Sequence, residues 1–90
     1  MARQLGTIHT FTMSGSSQAT AAFGSGTYFV RIATGAQPGY FSNPAAAPTA
    51  AATDNLIGTN QIDVVEVRPG QKIAVLQAGT AGTITITELV

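Results

Sequence analysis

The chain has 90 residues, of which only 9% are charged, with four basic against four acidic side chains, zero net charge at pH 7 and no cysteine. These figures exclude a second independent core, disulfide staples, thiolate chemistry and cysteine-ligated metal. The four cations, Arg3, Arg31, Arg68 and Lys72, are spread along the chain and cannot neutralise a run of phosphates, which argues against nucleic acid as a partner.

A domain of this size buries only about 60% of the surface that its unfolded chain exposes, so its stability margin is thin. Soluble domains usually carry about 25% charged residues, and a free monomer with so few near neutrality is poorly protected from self-association. The composition therefore fits a subunit whose surface is occupied by partners. The alternative is a monomer solvated by Thr, Ser and Gln. No stretch approaches the ~20 apolar residues of a membrane helix, and "MARQLGTIHTFTMSGSSQ" lacks the apolar core of a secretory signal. The expectation is a chain with no membrane partner that stays where it is made or joins a particle assembled there.

In chain order, Leu5–Met13 is read as the first strand, with Leu5, Phe11 and Met13 on one parity and a short N-terminal arm before it. "SGSSQ" breaks it. "TYFVRIAT", from Thr27 to Thr34, is a clear strand, with Tyr28, Val30 and Ile32 sharing one face and Phe29 and Arg31 the other. Residues 35–55 hold three of the four prolines and many alanines. They are read as a short strand at Tyr40 and Phe41 and then a surface excursion with one helical turn after Pro48. Gln61–Val67, Gln71–Ala78 and Thr83–Leu89 complete the strands. Gly79 and Gly82 predict a four-residue hairpin loop between the last two. Pro69-Gly70 fits the centre of a type II turn, which splays strands and serves a corner between sheets as well as a hairpin. The whole reads as one all-β domain over residues 1–90, a small antiparallel β-sandwich or jelly-roll-like barrel. Val30, Ile32, Ile73, Val75, Ile84 and Ile86 are its expected core.

Parity carries the functional inference. Thr83–Leu89 alternates cleanly, with Ile84 and Ile86 on one side and Thr83, Thr85 and Thr87 on the other. The two strands before it do not: Ile73 and Val75 oppose Ala74 and Leu76, and Ile62 and Val64 oppose Val65 and Val67. Two layers cover one face of each sheet, so strands that are apolar on both sides call for cover from outside the chain. A β-bulge near Val64-Val65 is the alternative, since it would reset the parity. Only Lys72 and Pro69 are placed to blunt an edge strand.

Side-chain chemistry is sparse. His9 is the sole histidine and lies in a Thr-rich strand, where a hydrogen-bonded structural role is expected. Asp63 and Glu66 point to opposite faces of a strand and cannot form a carboxylate pair, and Glu66 is expected to meet Arg31 or Lys72 across strands. "GSGTYF" and "GTAGTIT" lack the lysine and helix of a phosphate loop. No catalytic, cofactor-binding or metal-binding residue is assigned, and no enzyme is expected. Tyr40 and Phe41, beside Asn43-Pro44, fit either interface anchors or a small cluster packing the loop down. Leu5 with the N-terminal arm, Tyr40, Phe41, Leu76 and Leu89 are the expected interface residues.

"VEVRPGQKIAVLQAGTAGTITITEL", with "TYFVRIAT" and "GYFSNP", resembles a group of small structural proteins encoded by tailed bacteriophages. These are of about this length and share a strand, the "PGQK" corner and the "AGT" turn. The resemblance spans most of the chain and rests on turn chemistry and strand pattern. It implies a virion component assembled in the host cytoplasm, of the capsid decoration or cement type. Such proteins bind the major capsid protein on the outer capsid, often as trimers, and resist the pressure of the packaged DNA. It carries over no catalytic residue. The alternatives are a tail, neck or fibre-associated protein, a displayed receptor- or glycan-binding module, and a host-directed regulator found free of the particle.

Overall fold

Runs of Thr, Val and Ile between Gly- and Pro-containing turns give eight strands in the computed structural model, which describes residues 4–90. They are β1 Leu5–Thr12, β2 Gln18–Ala19, β3 Phe29–Thr34, β4 Gly39–Phe41, β5 Asn55–Ile57, β6 Ile62–Glu66, β7 Ala74–Gln77 and β8 Thr83–Leu89. Two four-stranded antiparallel sheets form, sheet A in the order β1-β8-β3-β6 and sheet B in the order β2-β7-β4-β5. The chain alternates between them in the connectivity of a jelly roll.

Between the sheets lies one apolar cluster of Met13, Phe23, Val30, Ile32, Phe41, Ile57, Val67, Ile73, Val75, Ile84 and Ile86, with Phe11 and Val65 packed against it. All six expected core residues are fully buried. Gly39 is required by close approach, because a Cβ there would overlap the Met13 sulfur. Pro69-Gly70 forms the expected type II turn: Gly70 has φ 85° and Gln71 N–H donates to the Arg68 carbonyl at 3.1 Å. It is a corner that carries the chain from β6 in sheet A to β7 in sheet B.

Several expectations are corrected. Gly79 and Gly82 do not close a hairpin, because β7 pairs with β2 and β4 whereas β8 pairs with β1 and β3. No helical turn follows Pro48. A turn closes instead at Ala51–Asp54, where Asp54 N–H donates to the Ala51 carbonyl at 3.0 Å and its carboxylate accepts from Ala51 N–H at 2.7 Å. The alternative of a bulge at Val64-Val65 does not occur, and a bulge lies instead in β1, between Leu5 and Ile8. Leu5 begins the first strand as expected, and the arm before Gln4 lies outside the described residues. Lys72 bridges to Ala45 rather than guarding an edge. The edges are blunted otherwise: β2 and β5 are two and three residues long, β1 is bulged, and β6 turns Asp63 to the inner parity beside Ile32.

A buried polar knot ties β1 and the 20–27 loop to the end of β8. Glu88, only 4% exposed, accepts from Thr27 Oγ1 at 2.6 Å and Gly24 N–H at 2.9 Å through one oxygen. Its other oxygen lies 2.8 Å from His9 Nε2, and the His9 ring meets Phe23 edge-on at 5.8 Å. Burial alone raises the pKa of Glu88, but the bonds from Thr27, Gly24 and His9 and the charge of the His9 ring outweigh it and hold it below the ordinary carboxylate value.

A depressed folded-state pKa contributes stability above the unfolded carboxyl value of about 4.3, and that contribution is lost as pH falls through the folded value. Glu88→Gln should therefore cost about 1–3 kcal/mol at neutral pH, with the gap to wild type narrowing below about pH 4; urea denaturation at several pH values measures it. The same assay separates buried Phe41 from exposed Leu56 of edge strand β5, which pairs with the preceding residue, Tyr40. Phe41→Ala should cost about 3–5 kcal/mol, whereas Leu56→Ala, at a site 63% exposed, should stay within about 0.5 kcal/mol.

Candidate assembly surface

The groups able to do chemistry are dispersed or already engaged. His9 and Glu88 satisfy each other inside the sandwich. Glu66 stands opposite Phe29, and Arg31 opposite Val64 and Thr87, so the register does not make the expected cross-strand ion pair. Among the described residues no three His, Asp or Glu side chains gather as a metal would require, and no helix is long and apolar enough to cross a membrane. A cleft of about 350 Å³ opens at the Pro69-Gly70 corner, lined by Pro44, Glu66, Val67, Arg68 and Gln71. It has no aromatic wall to stack a sugar.

The outer face of sheet A is different. Because Ile84 and Ile86 point inward, β8 turns Thr83, Thr85, Thr87 and Leu89 outward. The register then extends each outward position across the sheet: Ile8–Thr87–Arg31–Val64 in the central row, Thr10–Thr85–Ala33–Ile62 on one side, and Leu5–Leu89–Phe29–Glu66 on the other. Leu5, Ile8, Ile62 and Val64 are 70%, 60%, 57% and 61% exposed. A monomer seldom spreads four large aliphatics over one sheet face. The bulge in β1 creates this arrangement: without the extra residue Leu5 would share the inward parity of His9 and Phe11. Arg31 and Glu66 are the two charges that the described residues place on the face.

Sheet B closes most of its outer side with the chain's own excursion. The 42–54 segment leaves β4 and returns to edge strand β5, yet Ala50 N–H donates to Ser17 Oγ, beside the opposite edge strand β2, at 2.9 Å. It must cross the outer side, since the inner side is packed core. Ala74 and Ser42, which share the outward parity, are buried there, with Ala74 N–H donating to Ser42 Oγ at 2.9 Å. On the second apolar side of β7, Ala74 is thus covered from within the chain and Leu76 is half-buried, whereas β6 leaves Ile62 and Val64 exposed.

The expected interface residues divide accordingly. Leu5 and Leu89 are direct partners on the outer face of sheet A. Tyr40 and Leu76 are neighbours on the outer side of sheet B, both half-buried, with exposed Leu56 completing their row. Phe41 faces the core. Sequence reasoning missed Ile8, on the parity opposite to Phe11, and Leu56, whose strand is only three residues long. Ile62 and Val64 were visible as one side of a doubly apolar strand, but nothing local said which side the core would take.

No family model matches the chain, and no curated protein matches it. Among solved structures, a chain from Bacillus endospore appendages, described as a novel family of disulfide-linked pili, has a similar fold. It superposes with a TM-score of 0.55 at 14% identity, over 99% of this chain and 89% of that one.

Proposed function

We propose that this chain is a structural assembly subunit that associates with copies of itself, and in its finer form a capsid decoration protein of a tailed bacteriophage, held as such an oligomer on the outer capsid. The observation that carries the reading is the outer face of sheet A, whose two edge strands leave Leu5 and Ile8 on one side and Ile62 and Val64 on the other exposed. The low charge of the chain supports it, because a surface held in contact with protein has no need of solvating charge. The jelly roll is used by viral capsid domains and by lectins alike, so the fold admits the reading without selecting it.

A second reading, a subunit of an extracellular filament, is favoured by the fold shared with the appendage pilus chain. That neighbour's family is described as disulfide-linked, whereas these 90 residues contain no cysteine, so they could not supply disulfide links to a filament. The two readings differ in where the protein resides. A density map of purified virions, with copy number from quantitative mass spectrometry, should find the chain in many copies on the capsid exterior; its recovery in filaments with none on virions favours the second reading. Val64→Asp, at an exposed site that folding tolerates, should reduce occupancy on the particle by about tenfold or more, equivalent to about 1.4 kcal/mol of lost binding. Full occupancy with that substitution overturns the assignment of this face to assembly.

A further inference from the structure

We propose that the outer face of sheet A is covered by a second copy of this chain, in a two-fold face-to-face pairing that sets Arg31 of each copy against Glu66 of the other. This rests on the reading of the chain as an assembly subunit and specifies what occupies its bare face.

Charge placement argues for the second copy. The face holds one cation and one anion, on diagonal positions of neighbouring strands: Arg31 stands opposite Val64, and Glu66 lies two residues further along β6. Neither is engaged in an ion pair among the described residues. A surface with one charge of each sign is complementary to itself under two-fold rotation, since a two-fold interface matches residue i to j and j to i. An axis lying in the interface, between the row of Arg31 and the row of Glu66, brings each charge beside its opposite. A foreign partner would need its own matching anion and cation; a second copy already has them.

Area argues the same way. Four strands spaced about 4.8 Å apart, and six or so residues long at about 3.3 Å each, give a footprint of about 400 Å². Two such corrugated faces bury on the order of 1,000 Å² in total, which reaches the lower limit of specific protein interfaces. The pairing is therefore reversible and concentration-dependent. The edges offer no better route, because a bulge, an inward Asp63 and two very short strands blunt all four.

Sedimentation equilibrium of the whole chain across a concentration series tests this, with Arg31→Glu, Glu66→Arg and the double reversal. Wild type should dimerise, and each single reversal should weaken dimerisation by about tenfold or more through like-charge juxtaposition. The double reversal should return to within about threefold of wild type, because the two changes couple. Three results overturn the proposal: a wild type that stays monomeric at high concentration, a dimer indifferent to single reversals, or a folded double variant that does not recover. Should the double variant fail to fold by circular dichroism, Val64→Lys decides instead, since a folded Val64→Lys that still dimerises as tightly as wild type also overturns it. A monomeric wild type whose particle occupancy still falls with Val64→Asp would leave the assembly role standing and give this face to a different protein.

Discussion

A two-layer β fold has two inner faces, and this chain has apolar side chains for more than two. Sheet A and sheet B each turn one side to the shared core of Ile, Val, Phe and Met, and that requirement fixes the register of every strand. What remains is decided by the leftovers. β8 leaves only Leu89, since its other outward positions are threonine. On β6 the inward positions go to Val65 and Val67, and Ile62 and Val64 are left outside. On β1 the extra residue between Leu5 and Ile8 places both outward. The bare face follows from how the strands are registered, and no later folding step can hide it.

The two sheets meet this constraint in opposite ways. Sheet B is overlaid by the excursion between β4 and β5, whose small alanines let the backbone lie close to the strands and whose Ser17 and Asp54 contacts hold it down. Sheet A receives no such cover. The molecule thus has one side closed by its own chain and one side open, a polarity suited to docking by a single face. Thr10 and Thr83, both exposed, and half-buried Thr85 help reconcile that with solubility before docking, since each offers a hydroxyl to water and a methyl to a partner, whereas Thr87 is only 4% exposed. Blunted edges complete the arrangement, because an open edge would recruit further strands without limit, whereas two faces that cover each other close the assembly.

How much of this was legible in the sequence depends on the distance over which each feature is determined. The Ile/Thr alternation of Thr83–Leu89 and the double apolarity of Gln61–Val67 are local; the first identified core residues Ile84 and Ile86, and the second showed that β6 has one apolar side too many without saying which. The Pro69-Gly70 turn was legible because its backbone geometry is dictated by two residues. The strands of two and three residues at Gln18–Ala19 and Asn55–Ile57 hold too little pattern to register. The Gly79–Gly82 loop has the composition of a hairpin, and only the pairing partners of its flanking strands, set by residues far away, make it a crossing between sheets. His9 and Glu88 stand 79 residues apart, and no local rule could join them.

That last pair bears on how the open face is kept in shape. Leu5 and Leu89 lie at the end of sheet A where β1 meets β8, and Gln4 and Val90 exchange backbone hydrogen bonds of 2.9 Å there. Chain ends fray unless they are tied down. The tie here is the buried knot beneath them, in which Glu88 takes donors from the 20–27 loop and pairs with His9 of β1. A carboxylate so placed is costly unless every bond is made, so the arrangement is nearly all-or-none: with the knot complete, β1 is held in the register that puts Leu5 and Ile8 outward. Loosening it frees the strand that carries half of the exposed aliphatics. The interior polar group and the exterior apolar face thus share one strand, whose register the knot supports together with the backbone pairing of β1 with β8.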